Sequence, residues 1–154
     1  SVDSPKFWTV SLYADTLTKE AFLGSGVAIM QLLTPAQKDL VPILGQRGDY
    51  EQNSSKRNAC GAINYPWIST HHKTGNADNE FLAVDVLPRC ASYIKLNLLQ
   101  IMNAGDHEVA LCAVAMTGEW DENFGQVRLT IPSDDYTPIP KDQTNTLYTA
   151  SLRQ

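Results

Sequence analysis

The chain has 154 residues, which suffices for one domain with a substantial core and is too short for two full ones. Its hydrophobic fraction of 43% is ordinary for a globular protein and excludes a disordered or fibrous chain. The net charge of -5, without a basic stripe, argues against nucleic acid as a partner. The longest apolar run, residues 109–116, is too short for a membrane span, so we expect a single soluble domain over residues 1–154.

The first third of the chain predicts a strand, a helix, a strand and a second helix. Residues 7–13 are rich in aromatic and β-branched side chains, as strands are. A helix is expected to begin at residues 15–18, where three side chains carry oxygen atoms that can cap it, and an apolar strand is expected over residues 27–33. Thr34, Pro35 and Gln37 then have the pattern of a capping box, which predicts a helix from Pro35 to Leu44.

The middle of the chain carries little periodicity. Residues 46–59 are polar and predict a surface loop, and residues 61–79 are similarly irregular. Cys60, Cys90 and Cys112 are odd in number and lack CxxC spacing, so they indicate neither a disulfide framework nor a zinc site. We expect three reduced cysteines that pack as small apolar residues.

The last half predicts a β-hairpin. Strands are expected over residues 81–86, 91–102 and 108–116, with a five-residue loop from Asn103 to His107 between the latter two. Residues 109–116 are apolar at almost every position, which favours a strand covered on both faces, as in a barrel wall packed in a dimer. A last strand over residues 126–131, an extended tail over 132–140 and a helical turn over 145–153 complete a mostly β fold, a β-barrel with short helices.

Two short segments could carry chemistry, since none of the strong catalytic motifs occurs. At residues 15–19 a helix N-terminus, two threonine hydroxyls and an ammonium could hold a phosphate, although plain helix capping explains the same residues. In Gly105-Asp106-His107 the glycine permits a tight turn and the histidine ends at the mouth of the hairpin. Asp106 could orient the histidine or cap the turn, and an ordinary polar loop is the alternative.

Five fragments in order resemble the flavin reductase-like family, whose fold is the FMN-binding split barrel. They are Tyr13 with residues 16–19, residues 26–33, residues 37–45, residues 105–109 and residues 147–153. The resemblance extends over nearly the whole chain. It implies a homodimeric split β-barrel, or a subunit of a larger complex, with FMN or FAD in a groove at the dimer interface.

The resemblance also implies roles for particular residues. Thr16, Thr18 and Lys19 would lie at the flavin phosphate, Lys56 and Arg57 would supply a basic loop, Gly105 and Asp106 would form the turn beside the flavin, and His107 would lie near the isoalloxazine or nicotinamide ring. In such a protein NAD(P)H passes a hydride to the flavin, so no catalytic triad is needed.

The sequence also departs from the family pattern. Only residues 1–6 stand where the family has two further strands that contact the flavin, and Asp15 adds a negative charge near the expected phosphate. The resemblance therefore leaves three functions open. The first is an FMN-binding flavin reductase, the second is a non-catalytic structural or assembly subunit that keeps the barrel without flavin, and the third is a binder of another planar chromophore such as haem.

Overall fold

A computed structural model describes residues 6–46, 50–69 and 85–130 of the chain. The described part is mostly β, as the sequence predicts. Its elements are β1 (Phe7–Tyr13), α1 (Leu17–Ser25), β2 (Val27–Leu32), a 3₁₀ helix (Pro35–Leu40), α2 (Val41–Leu44), α3 (Tyr50–Ala62), β3 (Ile68–Ser69), β4 (Asp85–Val86), β5 (Ser92–Ala104), β6 (His107–Asp121) and β7 (Gln126–Thr130).

Five of the strands form one sheet in the order β1-β6-β5-β2, with β7 also paired to β6, and β3 pairs with β4. β1 lies antiparallel to β6, with Phe7 opposite Ala113 and Tyr13 opposite His107. Among the described residues, none of the helices has both the length and the apolar character needed to cross a membrane. The expected elements at residues 81–84, 132–140 and 145–153 lie outside the described residues.

The β5–β6 hairpin has a shorter loop than predicted. β5 continues to Ala104 and β6 begins at His107, so the loop is Gly105-Asp106 and the expected five-residue loop is wrong. Gly105 has a φ of 76°, the left-handed conformation that glycine adopts without steric cost. The Asn103 side chain accepts a hydrogen bond from the Gly105 N–H at 3.0 Å. Asn103 and His107 are polar, so the sequence predicts that they belong to the loop, but they lie in β5 and β6.

The described residues divide into two compact units. The first contains residues 6–30, 94–117 and 130, and the second contains residues 31–46, 50–69, 85–93 and 118–129. In the first unit α1 contacts β1. Phe22, Ile94, Leu96, Ala110 and Cys112 are the buried apolar residues of this unit. The prediction of a single domain stays a prediction.

The second unit is built around a 3₁₀ helix, two α-helices and the segment that precedes β5. The predicted helix from Pro35 to Leu44 is split into the 3₁₀ helix and α2. Pro42 explains the interruption, because it has no N–H to donate to Lys38 in a continuous α-helix. Leu33, Leu40, Cys60, Val86 and Leu87 are among the buried residues of this unit.

The predicted surface loop at residues 46–59 is wrong, because residues 50–62 form α3. The segment lacks the apolar period of an amphipathic helix, and on the part of α3 whose burial is described, residues 56–62, only Cys60 is buried. Contacts within the unit hold the helix instead. Lys56 donates hydrogen bonds to the carbonyl oxygens of Leu44, at 3.4 Å, and Gln46. Its ammonium therefore caps the C-terminal end of α2.

All three cysteines are buried free thiols, as predicted. Burial raises the pKa of Cys90 to about 12 and also raises the pKa of Cys112. Cys90 lies beside Tyr93, whose hydroxyl accepts a hydrogen bond from the Cys90 N–H at 3.2 Å and donates to the Leu87 carbonyl. Desolvation raises the pKa of Tyr93 as well. The polar groups of this core are thus paired with one another and stay neutral near pH 7.

Candidate functional site

The first turn of α1 and the β5–β6 turn meet at the end of β1. β1 ends at Tyr13, and the next backbone N–H, from Ala14, donates to the Asp106 carbonyl at 3.0 Å. This contact continues the β1–β6 ladder into the hairpin turn. We call the side chains gathered here the strand-end cluster, which consists of Tyr13, Thr16, Thr18, Lys19, Asp106, His107 and Glu108.

Thr16 is the N-cap of α1. Its hydroxyl accepts a hydrogen bond from the Lys19 N–H at 3.3 Å and donates one to the Tyr13 carbonyl at 2.9 Å. A hydroxyl has a single proton to donate. In this structure Thr16 therefore acts as a helix cap, and its hydroxyl would have to leave Tyr13 before it could donate to a phosphate.

Thr18 lies one residue inside α1 and its side chain is exposed. The backbone N–H groups of Leu17 and Thr18 belong to the first turn, where a helix offers no acceptor of its own. These N–H groups point toward the N-terminal end of the helix, where the helix dipole also favours an anion, and the exposed Thr18 hydroxyl belongs to the same turn. These are the groups of α1 best placed to hold a phosphate.

Lys19 is engaged with a carboxylate. Its ammonium lies 3.7 Å from Oε1 of Glu108, and the two side chains are 19% and 22% exposed. The other carboxylate oxygen, Oε2 of Glu108, is buried and has no hydrogen-bond partner among the described residues. Lys19 is thus a neutralised cation at the start of α1, which the sequence alone does not reveal.

His107 is oriented by its neighbour. Its Nδ1 lies 2.6 Å from Oδ1 of Asp106. A carboxylate only accepts hydrogen bonds, so the contact places the proton on Nδ1 and leaves Nε2 to accept or exchange a proton. The ring also packs on Tyr13, with centroids 4.0 Å apart and planes inclined at 39°. The sequence allowed Asp106 either to cap the turn or to orient His107. Asn103 caps the turn, and Asp106 orients the histidine.

The β1–β6 register separates the members of the strand-end cluster between two faces of the sheet. Tyr13 lies opposite His107, and Leu12 lies opposite Glu108. Successive residues of a strand point to opposite faces. The Tyr13–His107 pair and the Lys19–Glu108 pair therefore lie on opposite faces at the same strand end, and a ligand that touches both must reach around that end.

Lys56 and Arg57 do not form a basic loop. They lie on α3 in the second unit, where Lys56 caps α2 and burial lowers its pKa. The Arg57 guanidinium donates to Oδ2 of Asp85 at 2.6 Å, and its Cζ lies 5.0 Å from the centroid of the Trp67 ring. Both cations therefore have partners within their own unit, and their assignment to a flavin phosphate stays a prediction.

Several solved structures have the same fold as this chain. An FMN-binding protein from Thermus thermophilus matches with a TM-score of 0.57 and 18% identity, over 87% of this chain and 74% of that protein. An NADH:FAD oxidoreductase from Streptomyces globisporus matches with a TM-score of 0.54 and 10% identity, over 87% and 70% of the two chains. The flavin reductase component of a bacterial two-component tryptophan halogenase matches with a TM-score of 0.54 and 16% identity, over 86% and 76%.

These similarities confirm the fold that the sequence resemblance predicts. The chain has the mostly β fold of the FMN-binding split-barrel proteins and flavin reductases. At 10 to 18% identity the similarity concerns the fold. No protein-family model and no curated protein sequence matches the chain.

Glu108 and Tyr13 are the cluster members whose contacts the sequence did not predict. Tyr13 contributes to the family resemblance, but its packing on His107 follows from the β1–β6 register. Glu108 directly precedes the apolar run of residues 109–116 in β6. A charged residue at the start of such a strand is a usable signal, because a carboxylate that is half buried needs a counter-charge.

Proposed function

We propose that the chain is a flavin reductase-like oxidoreductase that binds FMN or a related flavin at the strand-end cluster and reduces it with NAD(P)H. The observation that carries the proposal is the oriented pair Asp106–His107, packed on Tyr13 at the end of β1 that leads into the N-terminal turn of α1. The pair lies in a chain with the fold of proteins described as flavin reductases and FMN-binding proteins.

The donors of α1 fit the phosphate end of FMN. The Thr18 hydroxyl and the N–H groups of Leu17 and Thr18 offer three donors at a helix N-terminus, the usual setting for a phosphate. Lys19 and Thr16 complete the expected phosphate residues, although both are engaged with Glu108 and Tyr13. We assign the phosphate contact chiefly to Thr18.

His107 and Tyr13 suit the ring end of the ligand. The histidine is 30% exposed, so one edge of its ring is open to a ligand while Asp106 fixes its orientation. When bound, a flavin supplies the hydride acceptor for NAD(P)H. The chain then has to hold the two rings in contact, and His107 can hold or release a proton at Nε2 beside them.

A flavin titration tests the proposal. The purified chain is titrated with FMN and binding is followed by flavin fluorescence. The Thr18→Val variant removes one hydroxyl and should weaken FMN binding by about 1–3 kcal/mol. The matched control is Thr9→Val, which removes an exposed hydroxyl from β1 and should leave FMN affinity unchanged.

The two outcomes separate the candidate functions. Equal FMN affinity in the wild type and Thr18→Val would remove Thr18 from the site. A wild-type chain that binds no flavin would favour the second candidate, a structural subunit that keeps the fold without the cofactor. The observation in favour of that second candidate is that Lys19 is paired with Glu108 and that the Thr16 hydroxyl donates to the Tyr13 carbonyl, so neither is available to a phosphate.

We also propose that the chain is a homodimer through the outer half of β5. Leu99 and Met102 are 54% and 59% exposed, and Ile101 is exposed beside them. Since neighbouring residues of a strand point to opposite faces, both faces of this part of β5 present large apolar side chains. A second copy of the chain would cover them, as the family resemblance implies.

A further inference from the structure

We propose that Glu108 determines flavin specificity at the strand-end cluster by neutralising Lys19. The remaining donors, chiefly Thr18, then only offset the unfavourable field at the phosphate, so that FMN binds about as tightly as riboflavin. The inference rests on the proposed function, because it concerns which flavin the same cluster prefers.

The Lys19–Glu108 ion pair is the basis of the inference. The ammonium comes from the first turn of α1 and the carboxylate from the second residue of β6, 3.7 Å apart. Roughly four fifths of each side chain is removed from solvent, as their exposures of 19% and 22% indicate. Water and salt therefore screen this pair less than they screen an exposed one, and the pair is retained at physiological ionic strength.

The unpaired carboxylate oxygen makes the pair hard to separate. Oε2 of Glu108 is buried and accepts no hydrogen bond from the described residues. If the Lys19 ammonium turned to a bound phosphate, the Glu108 carboxylate would stay partly buried without its counter-charge. Leaving a buried charge unpaired is strongly unfavourable, so Lys19 remains with Glu108 when a ligand arrives.

A phosphate at this helix N-terminus would therefore find few donors. The Thr16 proton is donated to the Tyr13 carbonyl, which leaves the Thr18 hydroxyl and two backbone N–H groups. Glu20 adds an exposed carboxylate to the first turn of α1, so the local field there opposes a dianion. The ribityl and ring parts of a flavin carry no such charge and are not affected.

The experiment compares two flavins and three variants of the whole chain. Wild-type protein is titrated with FMN and with riboflavin, and the two dissociation constants are expected within about three-fold of each other. Glu108→Gln frees the Lys19 charge and should tighten FMN binding by about ten-fold or more without changing riboflavin binding. In the double variant Lys19→Met with Glu108→Gln, FMN affinity should return to the wild-type value.

The control variant removes a carboxylate from an ion pair of the same length that is exposed to solvent. Glu119 lies 3.7 Å from the Arg128 guanidinium, and both side chains are 69% exposed. Exposed ion pairs contribute little, so Glu119→Gln should change neither affinity. Thermal unfolding of each variant confirms that it is folded before titration.

The outcomes distinguish this inference from the proposed function. If neither FMN nor riboflavin binds the wild type or any variant, the proposed function fails. If flavin binds but wild-type protein already prefers FMN by about ten-fold, or Glu108→Gln brings no gain for FMN, the inference is overturned and the function stands. The wild-type ratio of the two affinities decides the question even if Glu108→Gln does not fold.

Discussion

Replacing Gln37 with Met tests the polar pairing that holds the second unit together. Gln37 is 1% exposed, and its side chain joins two segments distant in sequence. Oε1 accepts from the Thr34 N–H at 2.9 Å, and Nε2 donates to the Pro88 carbonyl at 2.8 Å. Methionine matches the glutamine in shape but makes neither hydrogen bond.

The magnitude follows from the two groups left behind. The Pro88 carbonyl is buried, and a buried acceptor without a partner costs about 1–3 kcal/mol. The Thr34 N–H is half buried, so the loss of its hydrogen bond costs about 0.5–1.5 kcal/mol. The apolar methionine offsets about 1–2 kcal/mol by its more favourable burial. Taking the middle of these ranges, we expect Gln37→Met to lower the free energy of unfolding by about 1–2 kcal/mol, an appreciable share of the roughly 5–15 kcal/mol of a typical domain.

Urea denaturation followed by circular dichroism measures this change. The midpoint should fall while the denaturant slope stays the same, since the surface exposed on unfolding is unchanged. Gln46→Met is the control, because the Gln46 side chain is exposed and its replacement should change stability by less than about 0.5 kcal/mol. A Gln37→Met variant as stable as that control would refute the role assigned to the side-chain amide.

Three further predictions concern pH, the histidine and the dimer. Burial raises the pKa of Cys90 from 9.0 to about 12, so the neutral thiol contributes stability that is fully present below pH 9 and is lost as the pH rises toward 12. Between these values the free energy of unfolding should fall by up to about 1.4 kcal/mol per pH unit, and it should fall less steeply in Cys90→Ala. Equal pH dependence in the two proteins would contradict the assignment. Asp106→Asn alone should slow NAD(P)H oxidation, and adding it to His107→Ala should slow the reaction no further. Additive losses in the double variant would mean that Asp106 does not act through His107. Met102→Glu should shift a dimer to monomer in analytical ultracentrifugation, and a monomeric wild type would remove the proposed interface.

The sequence predicts the fold well where local and periodic signals agree. The strands at the start of the chain and around Gly105 are found where apolar and β-branched runs indicate them, and Gly26 ends α1 with a φ of 71°. The order of these fragments was enough for the family resemblance and therefore for the fold. The α3 segment was missed because its helix is held by contacts of Lys56 and Arg57 with distant residues rather than by an apolar face.

The candidate site could be predicted only as a set of residues. The sequence places Thr16, Lys19 and His107 near one another through the resemblance, but charge pairing depends on the register between β1 and β6. That register pairs Tyr13 with His107 and places Glu108 at the same strand end, where α1 brings Lys19 to it. A phosphate site inferred from residue types alone therefore overstates the positive charge that α1 offers.

The most direct test of the proposed function is NAD(P)H oxidation by the purified chain with FMN or riboflavin added under anaerobic conditions. Loss of nicotinamide absorbance together with bleaching of the flavin reports the reaction. We predict a rate that depends on protein, saturates with flavin and falls in His107→Ala. A rate equal to the protein-free rate with both flavins and with both NADH and NADPH would contradict the account.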